Sequence, residues 1–292
     1  MRIFITGGTG FIGKHLVSLL KSKNQELLLL SRAKNNAPYI KGDLSNIKYW
    51  KNKLIKFKPE AAIHLAWENT PHGSASQHSS LNSADNLIYG LNLIKALNEA
   101  GCKKILMTGS CWEYGKSFGK LKETDPVNYS NSFVIAKNCL HFLGRKIAEE
   151  NNMRFIWTRF FFVYGPGQRR QSIIPYLLDC FNKNLKPDIK NPFNKNDFVY
   201  VEDVAEAIWE ILKNNNSGPI YNIGTGCSVS IEKVASIVYG IKKKELLNKS
   251  SQNQPTCDFY ANIIKIKKEI GWKPKTDIET GIKKFIKNRN RI

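Results

Sequence analysis

Short apolar runs separated by longer amphipathic stretches set the rhythm of the first half of the chain. Residues 2–6 (RIFIT) are apolar and β-branched and predict a buried strand, as do 26–31 (ELLLLS), 39–44 (YIKGDL), 61–66 (AAIHLA), 103–108 (KKILMT) and 154–162. Within residues 86–100, Leu87, Gly90, Leu91, Ile94 and Leu97 recur near i, i+3, i+4 spacing, the mark of one apolar helix face. Residues 132–150 predict a second long helix. Strands alternating with helices predict an α/β fold with a doubly wound parallel sheet. Past Gly165 the pattern loosens, with helical stretches at 172–182 and 203–213 around the 197–201 segment and a short strand at 220–223. No repeat or low-complexity linker intervenes. The chain therefore reads as a first domain over 1–165, onto which 197–213 packs back, and a smaller α/β C-terminal lobe over 166–292.

The first strand runs directly into TGGTGFIG, where Gly7, Gly10 and Gly13 carry the chain around a tight turn into an apolar helix. Gly7 lets the backbone turn without a Cβ clash, Gly10 admits a pyrophosphate, and Gly13 lets the helix pack closely on the strand. The N–H groups of Thr9, Phe11, Ile12 and Gly13 then face the phosphates at a helix N-terminus, whose partial positive charge favours an anion. A strand, a glycine turn and a helix start in that order predict a dinucleotide site. Choice of coenzyme falls to the end of the second strand, where an acid reads a ribose 2′-hydroxyl and a base a 2′-phosphate. Ser31 and Arg32 stand there with Lys34 behind them, which points to NADP(H), with NAD as second choice. Asp43, followed by Leu44, ends the third strand and is placed to accept from an adenine amino group, and Leu65 and Ala66 close the fourth. His64 lies inside that strand and reads as a core histidine, while His72 and His78 have no partner spacing and receive no role.

Composition narrows the classes. The chain of 292 residues is 42% hydrophobic and 24% charged, as ordinary globular proteins are. Its longest apolar runs are far too short to span a bilayer, and the first strand begins at once with no leader before it, so no membrane association and a cytoplasmic location are expected. The formal charge of +21 would suit nucleic acid, but the lysines are spread along the chain among many asparagines, with local clusters at 242–244 and 283–284. A compositional bias explains this better, and no nucleic-acid partner is expected. Six scattered cysteines without a C-x-x-C pair suggest neither a zinc site nor a disulfide framework.

The fifth strand delivers Ser110, Cys111, Trp112, Glu113 and Tyr114 into the place where open α/β sheets bind ligands. Together with GDL at 42–44, HLA at 64–66, RFFFVYGPG at 159–167, DFVYVEDVAEA at 197–207, YNIGTG at 221–226 and GWKP at 271–274, these blocks resemble the extended short-chain dehydrogenase/reductases, in the nucleotide-sugar epimerase, dehydratase and reductase group. The resemblance covers nearly the whole chain. It implies a Rossmann domain followed by a substrate lobe, a nucleotide-diphosphate sugar as substrate, and a homodimer formed through the helices at 86–100 and 132–150. It also implies a triad of serine, tyrosine and lysine, the last two at i and i+4 on one helix face. Ser110 and Lys137 match, but the tyrosine position is Phe133, and a phenyl ring has no proton to give. Three explanations stand: an engineered change, a natural enzyme using another acid such as Tyr129, or a relative that has lost its redox chemistry. An engineered or secondary loss is favoured over replacement by Tyr129.

Other departures bear on the reaction. Cys111 and Trp112 stand where the dehydratases carry Asp-Glu, which argues against a 4,6-dehydratase, and Glu113 is expected to face away. Phe162 replaces a common asparagine, while Arg169 and Arg170 are candidates for the diphosphate or plain surface arginines. Trp67, Trp112, Phe160, Phe161 and Phe162 are expected near the crevice, more of them as core than as stacking platforms. The resemblance thus implies an NADPH-dependent reductase of a nucleotide-linked 4-keto-6-deoxy sugar in bacterial surface-polysaccharide synthesis. An epimerase retaining NAD, and a non-catalytic NADP-binding sensor or scaffold, are the alternatives.

Overall fold

The computed structural model describes residues 1–33, 36, 38–68, 79–115, 118–240 and 255–289; Lys34, His72, His78 and the lysines at 242–244 lie outside the described residues. In chain order the elements begin with β1 (Arg2–Thr6), α1 (Phe11–Ser22), β2 (Glu26–Ser31), β3 (Tyr39–Lys41), α2 (Lys51–Phe57), β4 (Ala61–His64), α3 (Ser80–Glu99), β5 (Lys104–Ser110), β6 (Phe118–Leu121) and α4 (Ser132–Glu150). They continue with β7 (Arg154–Phe160), β8 (Phe162–Tyr164), α5 (Ile173–Asn182), β9 (Lys195–Asn196), β10 (Phe198–Tyr200), α6 (Val201–Lys213), β11 (Ile220–Ile223), β12 (Val229–Ser230), α7 (Ile231–Tyr239), β13 (Asp258–Ala261), α8 (Ile264–Ile270) and α9 (Ile278–Arg289).

The chain folds as two compact units that exchange segments: Met1–Gly115, Pro126–Arg159 and Ala205–Tyr221 form one, and Lys116–Asp125, Phe160–Val204 and Asn222–Ile292 the other. The central sheet has seven strands in the order β11-β7-β5-β4-β1-β2-β3. β1 pairs in parallel with β2 on one side and β4 on the other, and the β2·β3 and β4·β5 pairs are parallel too. Strand order therefore reverses between β1 and β4, the switch point at which such sheets bind ligands. The core of the first unit gathers Phe4, Trp50, Ile94, Met107, Leu140 and Trp157. Buried on both faces, β1 and β4 read as unbroken apolar runs because no face of them meets water.

In the second unit β12, β9, β13 and β6 form a four-stranded sheet, and β8 pairs in parallel with β10. Between β9 and β10, the buried carboxylate of Asp197 accepts from Thr225 N (2.7 Å), Thr225 Oγ1 (2.5 Å), Gly226 N (3.0 Å) and Ala261 N (3.0 Å). It thereby ties the YNIGTG segment to β13.

Several expected boundaries move for local reasons. The third strand stops at Lys41 because Asp43 turns to cap a 3₁₀ turn, Leu44–Tyr49. The fourth stops at His64, and the fifth runs on to Ser110. The single strand expected over 154–162 is two, since Phe161 N donates to Ile223 O while Phe162 N donates to Asp197 O. α3 begins at Ser80, six residues ahead of the apolar periodicity, capped by Ser79.

Candidate functional site

At the end of β1 the turn leaves no room for a side chain at Gly7 or Gly13. Gly7 has φ 75°, and a Cβ on it would lie 2.6 Å from Ala66 N and 2.8 Å from the Leu65 carbonyl carbon. A Cβ on Gly13 would lie 2.1 Å from Gly7 O, so α1 can start this close to β1 only with glycine there. Gly10, the N-cap of α1, offers no side-chain cap, and the first turn carries no acid. The main-chain N–H groups of Phe11, Ile12 and Gly13 lack an intrahelical acceptor, next to the exposed Thr9 and Gly10. An uncapped helix start behind a glycine-rich turn fits a pyrophosphate.

Two neighbours flank that turn. Ser31, at the end of β2, is buried, and Arg32 beyond it places Nη1 2.5 Å from Glu68 Oε1, in the segment that follows β4 through Leu65, Ala66 and Trp67. Glu68 was not among the residues the sequence singled out. Asp43 Oδ1 accepts from Ser45 N at 2.8 Å. Burial works against its charge, but the Ser45 bonds and the Arg32 charge outweigh it and hold the carboxyl below its ordinary range. Leu44 is half-buried beside it.

A polar chain crosses the switch point. Thr6 Oγ1 and His64 Nδ1 are 2.7 Å apart, Thr108 Oγ1 donates to His64 O (3.2 Å), and Lys137 Nζ from α4 donates to Thr108 O (2.6 Å). Burial, and then the Lys137 charge, pull the His64 imidazole down to about 3, so it stands as the neutral core histidine expected. Lys137 is itself buried, with Nζ 3.7 Å from the centroid of the Trp67 ring and 5.9 Å from that of Phe133. Phe133 meets Trp67 edge to face at 5.7 Å. Burial pulls the ammonium down to about 7, with the Glu113 carboxylate opposing. Trp67, expected beside a substrate, is thus the cation–π partner of Lys137.

Ser110 closes β5 and caps the 3₁₀ turn Cys111–Tyr114, its Oγ accepting from Trp112 N at 3.2 Å. The Glu113 side chain returns the bond, accepting from Ser110 N at 2.7 Å. Glu113 does not project into solvent or over the loop, and the sequence did not foresee its partners. It is fully buried beneath the loop, 2.7 Å from Arg159 Nε and accepting from Trp157 Nε1. A Cβ on Gly109 would lie 2.2 Å from Glu113 Oε1, so the strand admits this carboxylate only past a glycine. Cys111 is buried and Trp112 half exposed. Tyr114 lies buried with its ring 4.5 Å from the Arg159 guanidinium, whereas Tyr129 is 61% exposed ahead of α4.

Of the remaining aromatic residues, Phe160 and Phe161 are core. Phe162 packs in the second unit against Phe198 and Phe259, at 5.9 and 5.7 Å. Arg169 and Arg170 are exposed ahead of α5 in that same unit. Among the described residues no group of three His, Cys, Asp or Glu could hold a metal ion, and no helix is long and apolar enough to cross a membrane.

Comparison with known proteins adds three findings. A family model described as the NAD dependent epimerase/dehydratase family matches residues 3–224. The chain is 29% identical over 310 residues to dTDP-4-dehydro-6-deoxyglucose reductase of Escherichia coli, covering 98% of this chain and 96% of that protein. It is 26% identical over 314 residues to dTDP-D-glucose 4,6-dehydratase of Mus musculus, covering 98% and 87%. In fold it matches the UDP-glucose 4-epimerase of Thermotoga maritima solved with UDP-glucose, with a TM-score of 0.85 at 21% identity over 100% of this chain and 99% of that one.

Proposed function

This chain belongs to the NAD dependent epimerase/dehydratase family, and from that membership we propose that it binds NADP(H) and a nucleotide-diphosphate sugar as a reductase of a 4-keto-6-deoxy sugar, with proton transfer impaired at Phe133. Its relatives include a nucleotide-sugar reductase and a dehydratase. The glycine turn would hold the pyrophosphate and Arg32 the ribose 2′ group. When bound, the coenzyme supplies a hydride. Ser110 orients the sugar oxygen, and the Lys137 ammonium positions ribose hydroxyls beside it. Trp112, Phe162, Arg169 and Arg170 are the candidates for contacts with the sugar nucleotide, the last two through their guanidinium groups. Surface-polysaccharide synthesis in a bacterium is the setting this reaction suits.

What supports the reading is the Phe133–Lys137 pair on one face of α4, with the lysine buried against Thr108 O and a phenyl ring at the position where the resemblance implies a proton donor. A positioned general acid contributes roughly 10²–10⁴-fold. Turnover of a panel of dTDP-, CDP-, GDP- and UDP-linked 4-keto sugars with NADPH is therefore expected to be slow. Phe133→Tyr should raise kcat at least tenfold with little change in KM. If Phe133→Tyr turns over its best substrate no faster than the parent chain, the reading is wrong.

The second reading, an epimerase with retained NAD, draws on the Glu68 carboxylate against Arg32. Protein that releases stoichiometric NAD on denaturation would favour it, and empty protein that takes up NADPH favours the reductase.

A further inference from the structure

Arg32 taken alone suits a 2′-phosphate, but in this fold it does not stand alone. Thr6 is paired with Leu30 on β2 and with His64 on β4, so the chain leaves the sheet after Ser31 and after His64 on either side of the glycine turn. The two segments meet in the ion pair of Arg32 Nη1 and Glu68 Oε1, at 2.5 Å. Glu68 is held there by its main chain. Its N–H donates to Asn86 Oδ1 (2.7 Å), and its carbonyl accepts from Asn86 Nδ2 and Asn82 Nδ2, each at 3.2 Å. Asn86 is itself buried, so the first turns of α3 clamp the acid in place. A second carboxylate, that of Asp43, also feels the Arg32 charge. The phenol of Tyr89, raised first by burial, is raised further by Asp85, Glu68 and Asp43.

We propose that Glu68 is a specificity-determining residue of this chain: its carboxylate accepts from a coenzyme's ribose 2′-hydroxyl and opposes a 2′-phosphate, so that the preference Arg32 confers for NADP(H) is small. The proposal rests on the coenzyme reading above. A 2′-hydroxyl can donate to Glu68 and accept from Arg32 without breaking their pair. A 2′-phosphate must take Arg32 from Glu68 and then sit beside a like charge, which disfavours it. The selecting acid arrives from the end of β4 rather than β2, 36 residues along the chain from the arginine.

Calorimetric titration of the full chain with NADPH and with NADH tests this. The parent chain is expected to bind the two within about tenfold of each other. Glu68→Gln should tighten NADPH about tenfold, leave NADH unchanged or a few-fold weaker, and keep its Tm. Glu99→Gln, which removes the same charge from the distant Lys51–Glu99 pair (2.6 Å), should leave the ratio as it was. Glu68→Gln protein with the parent's ratio overturns the proposal, and so does an equal shift in Glu99→Gln, which would mark a long-range effect of net charge. A parent chain that binds neither coenzyme fails at an earlier step and overturns the coenzyme reading as well.

Discussion

At Gly13 a methyl group would sit 2.1 Å from Gly7 O, whereas at Gly10 the same group would meet only Gly7 O, at 3.2 Å. The two glycines therefore differ in what they protect. Gly13→Ala is expected to cost about 1–3 kcal/mol through forced backbone shifts, visible as a fall in Tm. On the proposed coenzyme reading, Gly10→Ala should leave Tm nearly unchanged and still weaken coenzyme binding at least tenfold in a titration, since its Cβ would stand where the pyrophosphate would approach. Equal Tm losses in the two variants would show that the turn is only a packing device. Residues of this kind were legible in the sequence because a glycine before a helix announces a backbone requirement by itself. Phe133 was legible too, as a phenylalanine at i−4 from Lys137 where the resemblance implies a tyrosine. Glu113 was not. Nothing around it in the chain reveals that Arg159 and Trp157 will enclose it, and only the β5–β7 pairing makes a buried carboxylate tolerable there.

At the scale of elements, α3 and α4 cross where side chains are smallest. A Cβ on Gly90 would lie 2.7 Å from Leu140 Cδ1, and one on Gly144 2.9 Å from Ile94 Cδ1. The apolar periodicity around Leu87–Leu97 identified that buried stripe. It gave no warning of a second one, because Leu81 and Ile88 on α3 and Ile135, Phe142 and Leu143 on α4 remain exposed. Such a surface on adjacent helices is what a homodimer through this pair would bury, and we propose that assembly. Ile88→Glu with Phe142→Glu should convert a dimer to a monomer by light scattering. The effect on the monomer's stability should be small, because neither side chain supports the core of the first unit. A parent chain already monomeric at high micromolar concentration would contradict the assembly. Element ends moved where a side chain competed for the backbone, as Asp43 did at β3 and Ser110 with Glu113 at β5.

For the molecule as a whole, three buried bases set its response to acid. Burial, with Lys137 behind it, pulls His64 to about 3, and burial with Arg159 and Arg145 does the same to His141. Lys137 is pulled to about 7 from 10.5. Each folded value lies below the unfolded one, so on acidification the unfolded chain takes up protons first. Stability is highest above the unfolded values and declines as pH falls, through Lys137 between about 10.5 and 7 and through the histidines between about 6.5 and 3. Urea melts are expected to show a loss of about 1 kcal/mol per pH unit from pH 9 to pH 5. His141 stacks on Trp157 at 5.0 Å with neither ring nitrogen bonded, so His141→Phe should flatten the lower part of that slope without lowering stability at pH 8. An unchanged slope in that variant would remove His141 from the account.

What the chain determines on its own is whatever lies within a few residues. That includes the buried strands, the glycine turn, and the helix that carries positions 133 and 137 on one face. These depend on side-chain period and on φ, which are local. What only the tertiary structure decided are the partnerships that span strands: Glu68 against Arg32 across 36 residues, and Glu113 against Arg159 across 46. A charge has no partner until the sheet order brings one beside it, and that order is settled by the packing of the whole core rather than by any stretch of sequence.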